Sequence, residues 1–215
     1  PPAARLRRDR RLAGPICAAL VVGALAQLVV AALLGHMGDD ALYVRSLFIP
    51  VTFLVLAVQE GLDVSTQVGF ARLRGARGRD AVPSSATTAL LGRFVAAGGA
   101  VLGAVALLVV LAAPALATVL SVPGPLVAEF VAFARWTVLA SVLSVPTAVA
   151  AAALRGWGRT GASATVALLV AGLQVLVVWL VGLVGGFGVL AVPVALAGAT
   201  VGGAGVAWAG RVLAR

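Results

Sequence analysis

Charged residues are scarce in this chain, and lysine is absent altogether. Only 11% of the 215 residues are charged, whereas 62% are hydrophobic; soluble domains have about 25% and about 45–50%. A water-soluble fold of this length could not bury so much apolar surface. The composition therefore excludes an ordinary soluble domain and predicts an all-α protein embedded in a membrane.

Residues with catalytic or metal-binding chemistry are equally scarce. Cysteine occurs once, at Cys17, which excludes an intramolecular disulfide and a cysteine-based metal site. The sequence has no Gly-x-Ser-x-Gly, no pair of histidines at ligand spacing and no phosphate-binding Gly-Lys-Ser/Thr loop. We therefore expect that the protein is not an enzyme and has no catalytic residues, metal site or cofactor.

Six apolar stretches are each long enough to cross a bilayer, which takes about 20 helical residues. They cover residues 12–34, 46–70, 88–113, 126–154, 162–181 and 189–210. Pro146 lies deep in the fourth stretch and predicts a kink, and the glycine-rich residues 182–188 separate the last two stretches. We predict a basic N-terminal tail over residues 1–11, a six-helix lobe over 12–210 and a short C-terminal end over 211–215.

The distribution of arginine predicts the orientation of these helices. All 16 basic residues are arginines, and 13 of them lie in the two termini and the second-to-third and fourth-to-fifth connections. Because basic residues stay on the cytoplasmic side, both termini are predicted to be cytoplasmic in a multi-pass protein of the cell inner (plasma) membrane. The net charge of +9 then has a membrane explanation, and no nucleic-acid partner is expected.

Two carboxylates interrupt the second apolar stretch, and charges inside a bilayer usually face a cavity or a partner. Glu60 and Asp63 are spaced i, i+3, so we expect them on one helix face. Glu60 lies about 21 Å from the outer end of the stretch at about 1.5 Å per residue. We predict both as ion-coupling residues. The alternative is that they end the helix on the cytoplasmic side and pair with Arg72 or Arg74.

Three further polar side chains in the apolar stretches are candidates for lining a substrate cavity. Gln59 and Gln67 extend the face of the acidic pair into a polar stripe. Arg135 lies about nine residues into the fourth stretch, deep enough to need a carboxylate or a water-filled space. The alternative for Arg135 is that its side chain snorkels to the outer interface.

Short motifs occur in order along nearly the whole chain and, taken together, resemble one family. They are Pro15 with the turn Gly35-His36-Met37-Gly38, Pro50 with Gly61 and residues 67–77, and Arg135 with Leu154-Arg155-Gly156-Trp157-Gly158-Arg159-Thr160. This pattern resembles the multidrug and toxic compound extrusion (MATE) family, within the wider group that includes lipid-linked saccharide flippases. The resemblance implies one six-helix lobe of an antiporter that exports amphipathic or cationic compounds by alternating access.

The sequence also departs from the pattern of that family. An Asp is common in the first helix of the family, where this chain has Val30, and the fifth-helix Asn of the family corresponds to Gln174. Gln174 is therefore our fourth substrate-cavity candidate. With the usual Asp missing, either Glu60 and Asp63 carry the coupling to H+ or Na+, or a second lobe carries it, or the protein is not a coupled exporter.

The resemblance implies several partners: membrane lipid, a small-molecule substrate, H+ or Na+, and a second six-helix lobe. That lobe is expected either from a missing part of the chain or from a homodimer. Three alternatives stay open, one of which is a membrane scaffold without transport activity. A lipid-linked saccharide flippase relative would show more basic cavity residues than Arg135 alone, and a six-helix permease subunit of an ATP-driven exporter would need an ATPase on another chain.

Overall fold

The computed structural model describes residues 2–78 and 85–201, which form helices joined by short turns, with no strand in these two ranges. The helices are α1 (Pro2–Met37), α2 (Asp39–Leu47), α3 (Ile49–Arg77), α4 (Ser85–Val119), α5 (Gly124–Leu143), α6 (Val145–Gly156), α7 (Thr160–Val177) and α8 (Gly188–Val201). The predicted all-α fold is confirmed.

Five helical segments are long and apolar enough to cross a membrane. They are Cys17–Met37 of α1, the helices α3, α4 and α5, and the segment Thr160–Val184, in which α7 continues as a π-helix from Val178. α8 is apolar but shorter. The rest of the predicted sixth stretch, residues 202–210, and the predicted C-terminal end, 211–215, lie outside the described residues. The cytoplasmic location of the termini stays a prediction.

At two places along the chain, two helices meet just before a proline. α2 and α3 meet at Phe48, before Pro50, and α5 and α6 meet at Ser144, before Pro146. A proline has no N–H, so the carbonyl four residues earlier loses its helical partner and the helix bends. Phe48 and Ser144 both keep helical backbone angles, so the chain bends without forming a loop. The kink predicted at Pro146 is confirmed.

The helices pack as two groups, and α2 and α6 each contact helices of both groups. α1 packs along α7 and its π-helical continuation, α3 packs on α4 and α6, and α4 packs on α5, while α6 also contacts α7. Over the described residues, α1 and α3 have no extended packing contact with each other. Large apolar side chains on both are therefore exposed, among them Leu20 and Leu28 of α1 and Phe53 and Val64 of α3. These faces are left for lipid or for another protein surface.

The turn between the fifth and sixth stretches depends on glycine. Gly186 and Gly188 have φ angles of 70° and 56°, a left-handed conformation that side chains with a Cβ rarely adopt. They separate the segment that ends at Val184 from α8. The division predicted from the glycine-rich residues 182–188 is confirmed.

A close approach between α3 and the end of α6 also requires glycine. A Cβ on Gly156 would collide with the backbone carbonyl oxygen of Gln67 and come within 2.9 Å of the Cβ of Phe70. Beside this contact, the ring of Trp157 packs against Phe70, with ring centroids 6.4 Å apart. The glycine in the sequence Leu154-Arg155-Gly156 is thus a packing residue at the α3–α6 contact.

We expect Gly156→Ala to destabilise the protein by about 1–3 kcal/mol, because a backbone carbonyl cannot move aside as a flexible side chain can. Gly99→Ala in α4 is the matched control, since a Cβ there meets nothing within 4 Å and alanine is the better helix former. Thermal unfolding of the two purified variants in mild detergent measures the difference. Equal melting temperatures would contradict the close approach.

Candidate functional site

Glu60 lies on the side of α3 that no other described helix covers. The buried or half-buried residues of α3, such as Val55, Leu62 and Thr66, face α4 and α6, whereas Glu60 is exposed. It is the twelfth of the 29 residues of α3, about 16 Å from the start of the helix. Within the described residues its carboxylate has no hydrogen bond or ion pair. A carboxylate at this depth needs water, a cation or a polar surface beside it.

Asp63 is turned toward α6 and binds an arginine that the sequence analysis had not paired with it. Arg155 of α6 donates to both carboxylate oxygens of Asp63, and its other terminal nitrogen donates to the hydroxyl of Ser163 at 3.1 Å. The side chains of Arg155 and Asp63 are only 20% and 27% exposed. This cluster joins α3, α6 and α7.

The alternative in which the acidic pair binds Arg72 or Arg74 is wrong for Asp63. Arg74 instead donates to the backbone carbonyl of Trp157, because the end of α6 lies across α3 at that point. The structure also separates the two acids that we expected on one face. Asp63 is in an interhelical ion pair, whereas Glu60 remains on the uncovered side of α3.

Gln59 and Gln67 lie on the packed side of α3 and are both half-buried. The amide of Gln59 donates to the hydroxyl of Ser144 at 3.2 Å, and that hydroxyl donates to the carbonyl of Ser141 at 2.6 Å. Gln59 therefore connects α3 to the bend between α5 and α6. Gln67 contributes its backbone carbonyl to the close contact at Gly156. The expected polar stripe is split between a packed and an uncovered side of α3.

Arg135 is exposed on α5, and its Nε donates to the backbone carbonyl of Val110 in α4 at 3.2 Å. That carbonyl is the one that Pro114, four residues later inside α4, leaves without an N–H partner. Arg135 thus supplies the hydrogen bond that the proline removes. This contact lies between α4 and α5 and does not bring Arg135 to Glu60.

Gln174 is half-buried on α7, and its side chain has no hydrogen bond within the described residues. Val30, which stands at the family's usual first-helix Asp, is fully buried on the face of α1 that packs on α7. No carboxylate replaces that Asp in the sequence of α1 beyond residue 9. The described residues also hold no group of three or more His, Cys, Asp or Glu that could bind a metal ion.

A further contact that was not predicted joins α2 to α1. Arg45 of α2 donates from Nη2 to the side-chain oxygen of Gln27 in α1 at 3.0 Å. A signal for it was present, because Gln27 is the only amide side chain in the first apolar stretch and Arg45 comes directly before the second. The two residues are 18 positions apart, however, and their pairing depends on how α2 folds back on α1.

Five helical segments long and apolar enough to cross a membrane define an integral membrane protein. The MatE family profile matches residues 15–180, which is more than half of the chain. The chain belongs to the MatE family, and the resemblance seen in its motifs is confirmed. No curated protein matches the sequence at a significant level.

Solved transporter structures share the fold. A MOP superfamily transporter from Pyrococcus furiosus Vc1 matches with a TM-score of 0.81 and 22% identity over 94% of this chain and 44% of its own length. The Vibrio cholerae MATE transporter VcmN in its bent form matches with a TM-score of 0.83 and 16% identity over 98% of this chain and 47% of its own length. The chain thus spans less than half of these transporters, as expected for one lobe.

Proposed function

We propose that this chain forms one lobe of a MATE-type secondary transporter that exports amphipathic or cationic compounds by alternating access, coupled to H+ or Na+. The observation that carries the proposal is Glu60, a carboxylate on the uncovered side of α3 that has no hydrogen bond or ion pair within the described residues. Such a group can take up and release a cation when the cavity beside it opens to one side of the membrane and then to the other. Asp63 contributes less to ion coupling than Glu60, because its carboxylate is already paired with Arg155.

The uncovered sides of α1 and α3 are the surfaces that a second lobe would cover. The exposed residues Leu28 of α1 and Phe53 of α3 are 67% and 64% accessible in the single lobe, and Glu60 lies on the same side of α3 as Phe53. We propose that the second lobe, from further chain or a second copy, meets these sides and encloses the substrate cavity. The transporter works in the plasma membrane, with its basic connections in the cytoplasm.

Gradient-driven uptake tests this function. Inverted membrane vesicles that contain the full-length protein receive a pH or Na+ gradient together with a fluorescent amphiphile, either the cation ethidium or the acid dansylglycine. We expect at least one compound to accumulate and an ionophore to stop the accumulation. Vesicles without the protein are the control. If neither gradient drives either compound, the proposed function is wrong.

A further inference from the structure

Arg45 and Gln27 form a pair of hydrogen-bond donors with too few acceptors. Nη2 of Arg45 donates to the oxygen of Gln27, but Nη1 is buried and has no hydrogen-bond partner within the described residues. The amide nitrogen of Gln27 likewise has no acceptor in that part of the chain. A buried charged donor without an acceptor is costly, so this arrangement is suited to a group that brings two acceptor oxygens.

No acidic residue of the described chain provides the missing acceptor for Nη1 of Arg45. Asp63 is paired with Arg155, and the acids nearest to Arg45 in sequence, Asp39 and Asp40, are exposed in the first turn of α2. The oxygen of Gln27 is a neutral acceptor at the position where one oxygen of a carboxylate or phosphate would bind. With a rotation of the guanidinium that uncovers Nη1, an oxyanion that replaced it would bind both terminal nitrogens, in the bidentate geometry that arginine prefers.

The surroundings of this pair suit an amphipathic compound. Gln27 lies ten residues before the end of α1 at Met37, about 15 Å along the helix, and therefore inside the apolar segment. Leu20, seven residues before Gln27 and on the same face of α1, is 69% exposed, and Leu28, directly after Gln27, is 67% exposed. An apolar body can lie along them while an acidic group reaches the guanidinium.

We propose that Arg45 and Gln27 form a binding site for the acidic group, a carboxylate or phosphate, of an amphipathic substrate. This inference rests on the proposed function and narrows its substrate class to compounds with an acidic group. The two residues also connect α1 to α2, so a substrate that displaces Gln27 changes a contact between two helices. Glu60, on α3, remains separate from this site and serves the coupling ion.

The site is tested by comparing the binding of two probes of nearly the same size, one with a carboxylate and one with a neutral amide. Dansylglycine carries a carboxylate, and dansylglycinamide is its neutral amide. For the full-length protein in nanodiscs of zwitterionic phosphatidylcholine, we expect dansylglycine to bind about tenfold more tightly, as for a charge-assisted hydrogen bond. Fluorescence enhancement of the dansyl group gives both affinities. Equal binding, or binding of neither probe, overturns the site.

Three variants test whether Arg45 causes the tighter binding of dansylglycine than of dansylglycinamide. Arg45→Gln should remove the difference between the probes, whereas Arg93→Gln, the same change at an exposed position of α4, should keep it. Gln27→Glu leaves the arginine in place but gives it a carboxylate, so it should also remove the difference and provides a test if Arg45→Gln does not fold. An unchanged preference in folded Arg45→Gln or Gln27→Glu overturns the site.

Two further outcomes overturn the proposal. If the preference seen in phosphatidylcholine disappears in nanodiscs of anionic phosphatidylglycerol, a lipid headgroup occupies the site. If wild type shows no preference while Arg45→Gln lowers the melting temperature, the arginine pairs with a carboxylate of the second lobe. Gradient-driven uptake of ethidium or dansylglycine by the wild-type protein is measured independently of probe binding, so failure of this site is distinguishable from failure of the proposed function.

Discussion

Glu60→Gln should reduce gradient-driven transport to the level of vesicles that lack the protein. Glutamine keeps the size and hydrogen-bonding capacity of the side chain but can neither exchange a proton nor neutralise a bound cation. Because Glu60 is exposed and has no hydrogen bond or ion pair with another described residue, the change removes no described contact, and the variant should insert and fold normally. The measurement is uptake in inverted vesicles of whichever fluorescent compound the wild-type protein accumulates, at matched expression.

The control is Glu129→Gln, the same change at a half-buried position of α5. Glu129 lies near the turn at Gly188, away from the uncovered side of α3, so the variant should transport normally. Asp63→Asn should reduce coupling less than Glu60→Gln at matched expression, because Asp63 is already held by Arg155. Wild-type uptake in the Glu60→Gln variant would give Glu60 a structural role and place the coupling site in another lobe.

Breaking the Asp63–Arg155 pair should give the largest loss of stability among polar substitutions in this lobe. Asp63→Asn leaves the half-buried guanidinium of Arg155 without its carboxylate. Arg155→Gln leaves the half-buried carboxylate of Asp63 without its guanidinium. A fully buried pair broken in this way costs about 3–5 kcal/mol. With the partners 20% and 27% exposed, water screens part of the charge, and we expect about 2 kcal/mol for each change. Thermal unfolding in detergent should show a drop of several degrees.

The double variant Asp63→Asn with Arg155→Gln distinguishes an ion pair from two independent contacts. Because it leaves no unpaired charge, its melting temperature should lie closer to wild type than the sum of the two single losses. Ser163→Ala should have a smaller effect, since it removes only a hydrogen bond at 3.1 Å. Simple additivity of the two charged substitutions would show that the pair does not couple α3 to α6.

Several features of the fold were predictable because they depend on residues close together in the chain. The bend near Pro146 and the glycine turn before α8 follow from a missing N–H and from positive φ angles, and both are present. The contact of Arg135 was not predicted, although both of its causes lie in the sequence. Pro114 frees the carbonyl of Val110, but only the packing of α4 on α5 brings Arg135 to it.

By itself, the sequence determined that the chain is a membrane protein of long helices, because apolar length and composition act locally and need no partner. Its motifs also indicated the MatE family, and its charges in the second apolar stretch indicated Glu60 and Asp63 as candidates for ion coupling. Only the tertiary structure decided what each charge does. Asp63 and Arg155 are 92 positions apart, so their pairing exists only once α6 has packed on α3. The same packing leaves Glu60 uncovered, and the return of α2 along α1 brings Arg45 to Gln27.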